Sequence, residues 1–175
     1  MSKYQIDPSH SSASFSIKHM MIAKVHGSFD KITGVLNYDA NSPLKSNVEV
    51  SIDASSINTR EPQRDAHLKS PDFFDVEKYP TISFTSKRIE GSAGNLKLLG
   101  DLTIHGVTQQ VNLEVEGPTE EMKDPWGNLK IGASASTKIK RKDFGLTWNA
   151  ALEAGGFLVG DDVTITLDIQ FVKQV

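Results

Sequence analysis

The sequence predicts an all-β protein whose strands, about eight of them, close into an up-and-down antiparallel barrel with one short helical insertion. Three observations carry this. Apolar and polar residues alternate with a period of two through most of the chain. Turn-forming residues fall between the alternating runs, where hairpins would need them. One stretch, Gln63 to Pro80, abandons the alternation for a helix-like pattern.

The strands follow in order. Ala13, Phe15 and Ile17 alternate with Ser12, Ser14, Ser16 and Lys18, and Ile32 to Tyr38 supplies the second strand. Val48, Val50 and Ile52 then alternate with Glu49, Ser51 and Asp53. After the insertion, Ile82 and Phe84 alternate with Thr81, Ser83 and Thr85, and Leu96 to Thr103 comes next. Val111, Leu113 and Val115 face away from Asn112, Glu114 and Glu116; Lys130 to Ile139 follows, and Val163, Ile165, Leu167, Ile169 and Phe171 mark the last strand. Each strand has one dry face and one wet face. Breakers at Asn41-Ser42-Pro43, Gly91 to Asn95, His105-Gly106, Asp124 to Asn128 and Gly160-Asp161-Asp162 are expected to turn the chain.

Eight strands enclose an interior that side chains can fill or that can hold one small ligand. Along Ile131 to Ile139 one face carries Ile131, Ala133, Ala135, Thr137 and Ile139, the other Gly132, Ser134, Ser136 and Lys138. Whichever face points inward, its middle is small. The volume left over must be taken by neighbouring side chains or by a ligand, and both readings stand at this stage.

Within the insertion, Ala66 to Lys69 can continue a helical turn, Ser70 or Asp72 can cap another, and Pro71 suits a first helical position. Lys78-Tyr79-Pro80 ends it, because the residue before proline is pushed out of the α region. The adjacent rings of Phe73 and Phe74 either cover an apolar opening or belong to an ordinary core.

Composition narrows the function. The 175 residues suit one domain spanning 1–175. Net charge is −3 with an isoelectric point near 5.9, so no global positive field collects nucleic acid. No apolar run approaches the roughly 18 residues of a membrane-spanning helix. The absence of cysteine removes disulfides, thiolate nucleophiles and cysteine-ligated metals. MSKYQIDPSH lacks the apolar core of a secretory signal, so the expected location is the cytoplasm, or the periplasm if a leader has been removed.

Candidate chemistry is sparse. His10, His19, His26, His67 and His105 lack metal-site spacing, so no metal and no cofactor are expected; His19 and His26 flank MMIAKVHG, read here as a connection across which they could face each other. Gly91-Ser92-Ala93-Gly94 does not match a hydrolase elbow, and Gly155, Gly156 and Gly160 do not form a phosphate cradle. Lys138 to Lys142 and Arg60, Arg64 and Asp65 are charged clusters, either solvated rims or cations at a barrel mouth that receive a polar head group.

A set of ordered motifs resembles the YceI-like family of bacterial lipocalin-like lipid-binding proteins over nearly the whole chain. They are Tyr4-Gln5-Ile6-Asp7-Pro8, Phe15-Ser16-Ile17-Lys18-His19, Val25-His26-Gly27-Ser28-Phe29 and Ile57-Asn58-Thr59. Arg64 to Asp75 follows, leading into Tyr79-Pro80, then Gly100 to Thr108 and Arg141-Lys142-Asp143-Phe144-Gly145-Leu146. The resemblance implies an eight-stranded lipocalin-like barrel with a helical segment near its mouth, a pore for a polyisoprenoid or an isoprenoid quinone, a homodimer and no catalysis. On that reading Phe15, Ile17, Phe29, Phe73, Phe74, Phe84, Phe144 and Trp148 supply apolar lining or lid, and Arg64, Asp65 and Arg141 meet the polar head. The partner is a long-chain amphiphile, with transient contact at a membrane surface. Two alternatives stand beside it: an enzyme acting on a lipid-like substrate, and a stress-related structural protein with a filled barrel.

Overall fold

A computed structural model describes residues 1–92, 94–153 and 155–175. Its strands are β1 (Ser2–Ile6), β2 (Ser12–His19), β3 (Ala23–Phe29), β4 (Ile32–Tyr38), β5 (Asn47–Asp53), β6 (Ile57–Asn58), β7 (Thr81–Ser92), β8 (Gly94–Ile104), β9 (Val107–Gly117), β10 (Met122–Lys123), β11 (Leu129–Lys140) and β12 (Val159–Lys173). One helix, α1 (Pro62–Lys69), lies between β6 and β7.

Eleven of these segments form a closed barrel of eight antiparallel strands, three of which are broken in the middle, and the two-residue β10 pairs with β11 outside that count. β1 and β2 run on either side of a 3-10 turn at Pro8–His10, and β5 and β6 on either side of another at Ala54–Ser56. β3 and β4 make the third broken strand, pairing with both neighbours through Phe15↔Gly27, Tyr4↔Leu36, Phe29↔Ile57 and Ile32↔Ile52. β7, β8, β9 and β11 continue the meander, and β12 closes it by pairing with β11 on one edge and with β2 and β1 on the other. Both breaks are built alike. Asp7 accepts from the Ser9 N–H at 3.1 Å and Asp53 from the Ser55 N–H at 3.0 Å, each capping its 3-10 turn. The Ser9 and Ser55 hydroxyls, each donating to the same carboxyl at 2.7 Å, do most to hold both below the ordinary carboxylate range; Asp7, which also accepts from Lys130 at 2.9 Å, is held furthest.

The meander separates the two ends. The β2–β3 turn, α1, His105-Gly106 and residues 141–153 and 155–158 lie at one end, called here the helix end; the termini, the β4–β5 turn, the end of β7 with the start of β8, and residues 118–128 lie at the other.

Several expectations need correction. The helix stops at Lys69: Glu61, at the N-cap, accepts from the Gln63 N–H at 3.1 Å, Pro62 opens the first turn, and Ser70 ends rather than starts a helix. Phe73 and Phe74 sit on turns beyond it. The segment read as a connection, MMIAKVHG, is mostly strand: β3 pairs residue by residue with β2, so His19 lies opposite Ala23 and His26 opposite Ser16, and the two imidazoles do not face each other. Gly160-Asp161-Asp162 does not turn the chain. It lies inside β12 as a bulge between Val159 and Val163, whose carbonyls at Val159 and Gly160 are taken up by Arg141.

Candidate functional site

The inward face of each strand follows from its parity. On β11 it is the small one: Ala133, Ala135, Thr137 and Ile139 line the axis, and Ser134 instead turns outward to donate to Asp168 at 2.8 Å. Ala135 lies between Leu167 of β12 and Val115 of β9, and neither neighbour fills the space beside it. β7 shifts parity at a bulge between Ser86 and Arg88, so Ile89 continues the inward face begun by Ile82 and Phe84. The result is a cavity of about 590 Å³ along the axis, within the roughly 300–1,000 Å³ of ligand sites. It runs from Lys18, His19, Leu158 and Val159 at the helix end to Tyr38, Pro43 and Pro118 at the other, and its walls are overwhelmingly apolar. The axis is therefore not filled by side chains.

Aromatic rings concentrate toward the helix end. Phe15 lies over Gly27, where a Cβ would collide with the Phe15 ring and approach Thr59, so the glycine is what lets the ring lie flat against β3. Phe15 meets Phe29 with centroids 5.7 Å apart, and Phe29 meets Phe74 edge-on, also at 5.7 Å. A second group joins α1 to the segment after β11: His67 lies 5.1 Å from Phe73 and 4.8 Å from Trp148, and Phe73 lies 5.3 Å from Trp148. Backbone bonds fix this roof. The Phe73 N–H donates to Ser70 O and the Phe74 N–H to Leu68 O, both at 3.0 Å, and the Tyr79 N–H donates to Asp75 O at 2.8 Å.

The two arginines are placed differently. Arg64 lines the cavity; its Nε donates to the Thr59 hydroxyl at 2.8 Å and one Nη to the Thr59 carbonyl at 2.7 Å, which leaves the other Nη with no hydrogen-bond partner among the described residues. Arg141 also borders the cavity but is only 2% exposed, and its guanidinium is occupied. It donates to the carbonyls of Gly160 (2.8 Å), Leu146 (2.6 Å), Trp148 (2.9 Å) and Val159 (3.3 Å). Burial pushes its pKa below the ordinary arginine value. Its role is to tie the 144–148 segment to the β12 bulge, and little of it remains for a head group.

The other proposed residues fall as follows. Phe15, Ile17, Phe29, Phe73, Phe74, Phe84 and Trp148 line the cavity. Asp65 does not: its carboxylate accepts from the Thr59 N–H at 2.9 Å and from the Thr59 hydroxyl, so it holds the entry to α1. Phe144 does not either; at 1% exposure it is core behind the cavity wall, placed by a 3-10 turn that ends at Gly145, φ 77°. The aliphatic wall of β12, Val163 to Ile169, and the imidazole of His67 went unnamed as site residues. The alternation that located β12 also gave its inward face, and weighting rings over branched aliphatics obscured it.

The Asp7–Ser9–His10 constellation does not form a relay, and His67 at the cavity is paired with Asp72 at 2.9 Å. Ser9, His10 and Asp7 are mutually bonded, but Ser9 Oγ at 3.1 Å and Asp7 Oδ2 at 2.9 Å share the same Nδ1 of an exposed imidazole. A base oriented by one group and acting on another needs both ring nitrogens. Among the described residues, no three His, Asp or Glu side chains gather as a metal site.

The model of the YceI-like domain matches residues 4–171. The chain belongs to the YceI-like family. This YceI-like chain is 37% identical to a UPF0312 protein of Staphylococcus aureus over 173 residues, 98% of each chain. The YCEI protein of Campylobacter jejuni superposes with a TM-score of 0.75 at 33% identity, covering 91% of each chain. A polyisoprenoid binding domain from Saccharophagus degradans, implicated in plant cell wall breakdown, shares the fold at TM-score 0.72 and 15% identity, covering 99% of this chain and 100% of that one. In the YceI-like frame, the motif from Arg64 to Asp75 is α1 with its aromatic roof, and the motif from Arg141 to Leu146 is the clamp that joins the roof to β12.

Proposed function

We propose that this protein binds and carries, without catalysis, an amphiphilic lipid whose tail lies along the barrel axis, most readily a polyisoprenoid or an isoprenoid quinone. The observation that carries the reading is the hollow itself: about 590 Å³ of apolar space kept open by Ala133, Ala135 and Thr137, with Arg64, Gln63 and His67 at one end. An unfilled interior forfeits contacts that a tail would restore, and a tail leaving water gains about 0.8 kcal/mol per buried CH₂. That gain saturates, because ordering a flexible chain offsets part of it. The tail has no hydrogen bonds to offer, so selection falls to the width and length of the hollow and to the polar end. The Saccharophagus domain, described as polyisoprenoid-binding, supports the same ligand class on the same fold.

The two tryptophans make the test convenient. Trp148 lines the cavity and Trp126 is 82% exposed at the opposite end, so Trp126→Phe leaves a single reporter inside the site. Titrating delipidated Trp126→Phe protein with a long-chain isoprenoid quinone should quench Trp148 emission saturably, near one equivalent. Emission that changes only in proportion to added lipid, with no saturation, would refute the reading.

A further inference from the structure

The helix end carries an apolar point that the cavity does not account for. β2 and β3 are joined by Met20, Met21 and Ile22, and both methionines hold left-handed backbone, with φ 52° and 60°. Asn and Gly suit such positions because an ordinary Cβ crowds the following carbonyl. Burial does not compensate: Met20 is 44%, Met21 65% and Ile22 85% exposed. The tip is nonetheless held in place. The Met20 N–H donates to Leu158 O at 2.8 Å, and Met21 Sδ rests against Gly156, which has no room for a Cβ. Phe157, 58% exposed, extends the same apolar point from the neighbouring loop.

Positive charge sits directly behind it. Lys18 and Lys24 lie opposite each other on β2 and β3, an arrangement that weakens a sheet. Among the described residues neither is in a salt bridge. On the neighbouring loop and strand Asp161 is engaged by Lys142 at 3.3 Å, Asp162 lies opposite Lys140 in the ladder, and Asp143 and Glu153 are exposed; Glu61, Asp65, Asp72, Asp75 and Glu77 lie around α1 at the same end. An apolar tip backed by lysines complements hydrocarbon beneath anionic head groups. It does not suit a second copy of the chain, which would bring two lysine pairs together around only four apolar side chains from each copy, where a stable protein interface uses roughly 20–30 residues a side.

We propose that the Met20–Ile22 tip, with Phe157, inserts into the surface of an anionic bilayer and holds the helix end against it. Lys18, His19, Leu158 and Val159 line the cavity, so docking sets its mouth on the membrane. The purpose of that placement rests on the carrier reading; the docking itself does not.

Vesicle flotation tests it, using phosphatidylcholine vesicles with and without phosphatidylglycerol at low and physiological salt. The protein should float with the anionic vesicles and less so as salt rises. Ile22→Ser should weaken binding roughly tenfold or more, and Lys24→Gln roughly fivefold. Both side chains are exposed, and thermal unfolding of each variant confirms that the fold is intact. The proposal is overturned if the protein shows no preference for anionic vesicles, or if both variants bind like the parent. It is equally overturned if Ile22→Ser turns a sedimenting dimer into a monomer while no sample binds vesicles, which assigns the tip to a second copy. Native mass spectrometry of the same samples reads lipid content independently: tip variants that still carry lipid separate a failure of docking from a failure of carriage.

Discussion

Arg141 joins four carbonyls from two stretches of chain, and among the described residues only the Val159 carbonyl has a second side-chain donor, Asn149 at 2.8 Å. Replacing it with Met should cost about 3–5 kcal/mol, the scale for removing one partner from a buried charged set. A guanidinium chloride midpoint checks this; an unchanged midpoint with lost lipid would return the side chain to a head-group role. In sequence Arg141 and Arg64 look alike, since a cation beside a strand end says nothing of which carbonyls it will meet. Asp65 is equally ambiguous in sequence: its carboxylate turns back to Thr59, a partner six residues away that only the chain path reveals. Asp7 makes a pH prediction. Its folded pKa is depressed, first by Ser9 and then by Lys130. Its contribution is therefore present above the unfolded aspartate value of about 3.9 and is lost as pH falls toward the folded one. Asp7→Asn should lower stability at neutral pH by about 1 kcal/mol and lose less than the parent between about pH 5 and pH 2, measured as urea midpoints. Parallel curves for the two proteins would contradict it.

At the scale of elements, the strands were legible because a half-buried antiparallel strand writes its two faces into the sequence. β3 escaped notice because one of its inward slots is Gly27, and the apolar group that occupies the slot is the Phe15 ring from β2. The bulge in β12 reads locally as a turn, since Gly160-Asp161-Asp162 has turn composition and the cations that stabilise it come from residues 141–142. The insertion was correctly expected to differ from its surroundings, but its rings lie beyond the helix, on turns held by carbonyls at Leu68, Lys69 and Ser70. Phe74 meets Phe29 and Phe73 meets Trp148, so the rings cover the hollow from two sides. Phe73→Ala with Phe74→Ala should raise the rate of lipid loss more than it alters far-UV circular dichroism. Equal loss of both would make the rings ordinary core.

For the molecule as a whole, the closed meander was readable from strand count and spacing, whereas the state of its interior was not. Alternation fixes which face points inward; the sum of volumes around a ring depends on eight strands at once. Ala133 and Ala135 pointed to the open middle, and Leu167, Ile169 and Val115 beside them do not close it. Ala135→Leu should therefore be accepted with little loss of stability, or a gain, because the added atoms enter free space. It should also lower lipid uptake. A well-packed interior would instead show a loss of about 1–3 kcal/mol from crowding.

The measurement that bears most directly on the hollow barrel is native mass spectrometry of the protein isolated from its own host without detergent. The account predicts a population heavier than the chain by one long-chain isoprenoid or quinone, released on denaturation and reduced in Ala135→Leu. Protein that shows only its own mass, and takes up no such lipid when offered it, would contradict the account.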